Sequence, residues 1–242
     1  MPYALYAKSA GSVNSGTGIT ISSVSATGDS LFLSNGQTFV SGGNSGGNSG
    51  GSPVNGYSHY IGEEFGGGVV FHLWKDTLGV EHGLIVDKTT IMSNLIIATG
   101  DTIVVPFYYS NVVWSNIETV NVGSTAQSFS DGLSNSIAIV GQAGHTNSAA
   151  ALCLNSNNGG QDDWYLPSLG ELNMLWNNFS LVNQQLSQSS GAQQLNSQYF
   201  STCWSSTELT ISQGAWYLSL DSGVMGNRAK NGGLSVRAIR AF

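Results

Sequence analysis

Residues 68–74 alternate on two apolar faces, Val69, Phe71 and Leu73 against Val70, His72 and Trp74. A period of two with apolar residues on both sides predicts a strand buried in the middle of a sheet, and the turn residues at 75–79 lead to a partner strand over 82–86. The pattern changes at Asp162-Asp163-Trp164-Tyr165-Leu166-Pro167-Ser168-Leu169-Gly170-Glu171. Pro167 disfavours helix at the residue before it, and Ser168 with Glu171 spells a capping box, so an extended arm turns into a helix over 169–178. Leu172, Leu175 and Trp176 form that helix's apolar stripe, and Trp164 and Trp176 read as core. Helical composition recurs at 131–140, 148–154 and 180–187.

The last 45 or so residues read as a three-stranded antiparallel meander with strands at 199–205, 215–220 and 234–242. Trp216, Leu218 and Leu220 share a face of the second strand, and Arg237 and Ile239 oppose Val236, Ala238 and Arg240 in the third. Two polar, Gly-containing loops, 206–214 and 224–233, emerge from this sheet with the composition of a recognition rim. Near the other end, residues 29–34 run through Asn35-Gly36 into 37–40, a hairpin signal, and 41–54 is a Ser/Gly/Asn tether. The expected organisation is a β-rich stem at 1–40 that oligomerises, a linker at 41–56 and a globular domain at 57–242.

Charged residues make up 9% of the chain and the net charge is −7, with 7 Lys and Arg in all. So few cations argue against binding a phosphate backbone, and a surface kept wet by Ser, Thr, Asn, Gln and Gly suits an extracellular or virion location. The most apolar region, 94–114, is interrupted by Gly100-Asp101 and Pro106, so membrane insertion is not expected. No signal peptide is expected in the first residues, which read as a segment continuing from an upstream domain.

Six pieces in order carry a resemblance: Ile61-Gly62 with Gly67-Gly68-Val69-Val70-Phe71, residues 82–86, 164–171, 204–208, Ala215-Trp216-Tyr217, and Val236-Arg237. Residues 57–242 resemble the Lcl C-terminal type of domain that ends bacterial collagen-like surface adhesins. The resemblance implies an α+β, C-type-lectin-like fold with antiparallel sheets and two or three short helices. It also implies a non-enzymatic recognition module at a cell surface or at the tip of a phage or injection-system fibre, contacting a glycan or a surface receptor. A hairpin too small to stand alone in the N-terminal stem adds the expectation of a homotrimer that multiplies weak contacts. The alternatives are a structural fibre cap without a ligand and, more remotely, an oxidase of the formylglycine-generating kind, which shares the fold distantly and uses a cysteine pair with copper. Cys153 and Cys203 lack that family's neighbouring motifs; they form either a disulfide closing a loop of about 50 residues or two buried thiols.

Asn227, Arg228, Lys230 and Asn231 place two cations and two amides on one predicted loop and are the first choice for ligand contact, since such groups bond sugar hydroxyls or acidic groups. Glu208 is expected to face Arg237 as a buried pair bracing the meander, and Trp164, Pro167, Ser168, Glu171, Trp204 and Trp216 are structural. Asp162 and Asp163 beside Asn157 and Asn158 offer calcium-type oxygens without the spacing of a known calcium loop, so a solvated loop is the expectation and no cofactor is assigned. No Cys-x-x-Cys or His-rich spacing points to zinc. His59, His72, His82 and His145 are scattered, and no nucleophile motif accompanies them, so no catalytic residue is expected.

Overall fold

The computed structural model describes residues 56–91, 112–195, 201–210 and 213–242, with the backbone of five short strands elsewhere. The chain divides into two compact units, Met1–Ser49 and Gly50–Phe242. The first carries an antiparallel sheet of β1 (Ile21–Val24), β2 (Ser30–Leu33) and β3 (Thr38–Val40), in which β2 and β3 pair across the Asn35-Gly36 segment. Apart from Gly56, the tether expected over 41–56 lies outside the described residues.

The second unit is α+β and its strand ladders are antiparallel. Its first sheet is built on β4 (Glu64–Phe65), β5 (Gly68–Lys75) and β6 (Glu81–Asp87). Two two-residue strands, β7 (Leu95–Ile96) and β8 (Thr102–Ile103), pair with each other, and β9 (Val112–Val113) follows. Four helices come next: α1 (Gly132–Val140), α2 (Ala149–Leu154), α3 (Leu169–Asn177) and α4 (Phe179–Gln188). A second sheet is the meander of β10 (Thr202–Glu208), β11 (Gly214–Ser219) and β12 (Met225–Ala229). The chain then crosses back: β13 (Gly233–Leu234) pairs with β9, and β14 (Ile239–Ala241) pairs with β6, giving the order β14-β6-β5-β4. Isolated bridges from Ser235 to Cys203, Val236 to Ile91 and Ile239 to Tyr165 stitch this return segment between the two sheets.

Two clusters of buried side chains lie on opposite sides of these strands. One joins Val69, Phe71 and Val86 to Leu172, Leu175, Val182 and Leu186 of the helices and to Cys203 and Leu218 of the meander. The other joins Val70 and Ile85 to Trp114, Ile139, Cys153, Trp164, Trp204, Val236 and Ala238. Burying each aliphatic side chain of this kind contributes about 1.5–3 kcal/mol. Strand β11 links the clusters, with Ala215 and Tyr217 on one side and Trp216 and Leu218 on the other.

Four expectations are corrected. The third strand of the meander is Met225–Ala229, inside the predicted recognition loop, because residues 239–241 pair with β6 of the first sheet instead, while Ser235 meets β10 only in a single bridge. Leu73 does not share the face of Val69 and Phe71; a bulge between Val70 and His72 inverts the alternation and turns Leu73 to the cluster of Val70. Trp176 is 37% exposed, its ring lying over Gly223 in the β11–β12 turn, where a Cβ would come within 2.4 Å of it. Glu208 does not face Arg237. The Arg237 guanidinium donates instead to the carbonyls of Asp87 and Gln193, both at 3.0 Å, and burial pulls its pKa down.

Candidate functional site

The corner at 164–171 holds helix α1 to helix α3. Ser168 caps α3 by accepting from the Glu171 amide, and the Glu171 carboxylate accepts from the Ser168 amide at 2.7 Å, the Gly132 amide at 3.1 Å and the Tyr165 hydroxyl at 3.0 Å. Burial raises the Glu171 pKa against these hydrogen bonds, which lower it, and burial together with the Glu171 charge raises that of Tyr165. A Cβ on Gly132 would sit 2.5 Å from the Glu171 carboxylate and 2.7 Å from the Leu166 carbonyl, so only glycine fits. Ser206 donates its amide to the Pro167 carbonyl at 2.7 Å, which ties the corner to β10.

The end of β10 is held by a buried charge pair. Glu208 and Lys230 are both shielded from solvent, with Nζ 2.6 Å from Oε1. The two carboxylate oxygens also accept from the amides of Val122 and Gly123, each at 2.8 Å, while Lys230 donates to the Val120 carbonyl at 2.8 Å and lies 5.1 Å from the centre of the Trp114 ring. Lys230, read from the sequence as a surface contact, therefore clamps the 120–123 segment onto the meander. No local pattern in the sequence signals this, because its partners come from residues about 20 and 110 positions away.

With Lys230 buried, the exposed members of the four-residue set are Asn227 and Arg228 on β12 and Asn231 beyond it. Asn231 donates to Glu118 at 2.9 Å. Arg228 shares a face of the meander with Tyr217, Ser219 and Thr202, since Arg228 pairs with Ala215, Gly226 with Tyr217, and Ser219 with Thr202. Over this face runs an open groove of about 550 Å³, lined also by Ser222, Val224, Asn227 and Leu234. Gly226 leaves room for the Tyr217 phenol, which a Cβ there would meet at 2.4 Å. The other described cations are engaged: Lys75 lies over Tyr57, Lys88 pairs with Glu64, Arg240 with Asp163, and Arg237 bonds carbonyls. Among the described residues no hydrogen bond or ion pair engages the Arg228 guanidinium. The groove thus combines an available cation, hydroxyls and one aromatic ring, with Asn227, paired to Trp216, at its edge and turned by alternation toward the opposite face of the sheet. Sequence reading located Asn227 and Arg228 but missed Tyr217, Ser219 and Thr202, whose alternation along β11 and β10 was the available signal.

Asp163 is taken up by Arg240, which bonds it through Nε at 2.5 Å and Nη2 at 2.8 Å and holds its carboxyl below the usual range. Asn158 donates to Asp87 at 2.6 Å. Among the described residues no group of three or more His, Cys, Asp or Glu is arranged to hold a metal ion. Cys153 and Cys203 are unbridged and buried; burial pushes the Cys203 thiol up to about 12 and that of Cys153 well above its ordinary value. A Ser–His contact occurs at His145 Nε2 and Ser148 Oγ, 2.8 Å apart, but that hydroxyl is buried and accepts from the Ala151 amide as the cap of α2.

No curated protein matches the chain. The family model of the Lcl C-terminal domain matches residues 108–240, a span that holds helices α1 to α4, the capping-box corner, the meander with its groove and the start of the closing strand. That match covers more than half of the sequence, and the chain belongs to the Lcl C-terminal domain family.

Proposed function

We propose that this protein is a non-enzymatic recognition module whose receptor contacts lie in the groove of the β10–β11–β12 sheet. Membership of its family makes it an adhesion-type, surface-associated domain. The finer reading is the tip of a surface adhesin or of a phage or injection-system fibre that holds a glycan or a surface protein. The observation that carries it is Arg228: exposed, unengaged among the described residues, and set beside Asn227, Tyr217 and Ser219 in one groove. A guanidinium offers five donors in a fixed fork, suited to vicinal hydroxyls or an acidic group, and an aromatic ring adds apolar contact to a sugar face. Each head would bind weakly, and trimerisation through the N-terminal unit would multiply the contacts.

Screening the full chain on arrays of glycans and of host-surface proteins tests this. The expected result is a signal that Arg228→Ala reduces; no signal on either array, or one that Arg228→Ala leaves unchanged, refutes the site. Sedimentation of the full chain at micromolar concentration tests the trimer, and a monomer would remove it.

A second reading, an assembly knob without a ligand, is favoured by Leu133 and Ile137, 43% and 56% exposed and one helical turn apart on α1. It predicts that Leu133→Asp with Ile137→Asp abolishes assembly while leaving Arg228 dispensable.

A further inference from the structure

Strand β12 has an open side. In the ladder with β11, the Ser219 amide donates to the Val224 carbonyl at 2.9 Å and the Lys230 amide to the Gln213 carbonyl at 3.4 Å. With Tyr217 opposite Gly226 and Ala215 opposite Arg228, the even-numbered residues of β12 turn their backbone groups toward β11. Met225, Asn227 and Ala229 therefore aim theirs the other way. All three are exposed, and β12 is the outermost strand of its sheet. Among the described residues the one hydrogen bond to these outward groups is the Gly232 amide to the Ala229 carbonyl, at 2.8 Å. Two of the devices that protect an edge are missing here, since β12 carries no proline and its register with β11 runs without the bulge that interrupts β10 and β11; its one charge is Arg228.

We propose that β12 is the docking edge for an extended peptide that joins the sheet as a fourth strand and sets an acidic side chain against Arg228. The backbone row selects the class of partner, because alternating N–H and C=O groups at strand spacing are matched by another strand. Arg228 selects the charge. A residue of the incoming strand directly across from Arg228 lies on the same face of the sheet, in the closer, non-hydrogen-bonded kind of pair. The residues on either side of it fall on the opposite face, directly across from the exposed Asn227 and Ala229, and are β-branched or aromatic in the best ligand because such residues favour a pleated strand. The binding motif is an acidic residue between two β-branched or aromatic ones. This goes beyond the groove reading: it rests on the backbone edge, which a glycan does not use.

The test pans a random heptapeptide phage-display library against the immobilised full chain and measures the selected peptides by titration. Enrichment of an acidic centre flanked by apolar residues is expected. Asn227→Pro removes an outward amide without touching the β11 ladder and should weaken binding at least tenfold, and Arg228→Glu should shift the preference to Lys or Arg. Slowed hydrogen exchange at Met225, Asn227 and Ala229 on adding peptide reports the same contact in the unmodified protein, should Asn227→Pro fail to fold. Three results would overturn the proposal: no enrichment above background, enriched peptides indifferent to both substitutions with no exchange protection at β12, or a dimer that Asn227→Pro dissolves, which would make a second copy the occupant. Loss of a glycan signal in Arg228→Ala with unchanged peptide binding in Asn227→Pro would leave the groove standing and sink the strand edge.

Discussion

Replacing Lys230 with methionine isolates the buried charge. Methionine keeps most of the aliphatic stem beside Trp114 while the ammonium, 2.6 Å from Glu208, disappears. The Glu208 carboxylate is then left out of water with the amides of Val122 and Gly123 as its remaining donors. Removing one partner of a fully buried pair typically costs about 3–5 kcal/mol, because the other charge keeps its desolvation penalty. For a unit of this size each kcal/mol lowers Tm by roughly 2–4 °C, so a fall of about 6–20 °C is expected. Urea unfolding followed by tryptophan fluorescence gives the free energy directly. Glu208→Gln with Lys230→Met removes the orphaned charge, and the double variant should lose less than Lys230→Met alone. A Lys230→Met loss below about 1 kcal/mol, or single losses that simply add in the double variant, would refute a desolvated, coupled pair. Arg228→Ala is the control: exposed and two residues away, it should change stability by no more than about 0.5 kcal/mol.

Gly132→Ala should destabilise by about 1–3 kcal/mol in the same urea assay, because the new methyl group meets the Glu171 carboxylate and the Leu166 carbonyl; a neutral result would mean that α1 shifts freely. Acid titration of stability should separate two carboxylates of opposite sign. Asp163, held low by Arg240, contributes stability that is present above its unfolded pKa and lost as pH falls through the depressed folded value; at about half exposure this amounts to a few tenths of a kcal/mol, which Asp163→Asn should erase. Glu171, raised by burial, contributes in the other direction: its share is present below the unfolded pKa and lost as pH rises through the raised folded value. Cys153 and Cys203 should resist alkylation at pH 8 in the native protein and react fully in urea, and an intact mass lower by two hydrogens would show a disulfide instead.

Sequence by itself determined what depends on neighbours along the chain. The capping box fixed the start of α3 at Ser168, Asp131 and Ser148 marked the starts of α1 and α2, and two-faced apolar alternation placed β5 and β6 in the middle of a sheet. The ordered tryptophan motifs were enough for the family. Tertiary structure decided whatever depends on which distant segment supplies a partner. Residues 239–241 joined the first sheet because β6 offered an edge, so the third meander strand came from a stretch whose Gly and Asn read as loop. Lys230 and Arg228, two positions apart and alike in the sequence, parted company because the 120–123 segment covers one and not the other. A charge is desolvated by atoms that fold over it from elsewhere in the chain, and local pattern carries no record of them.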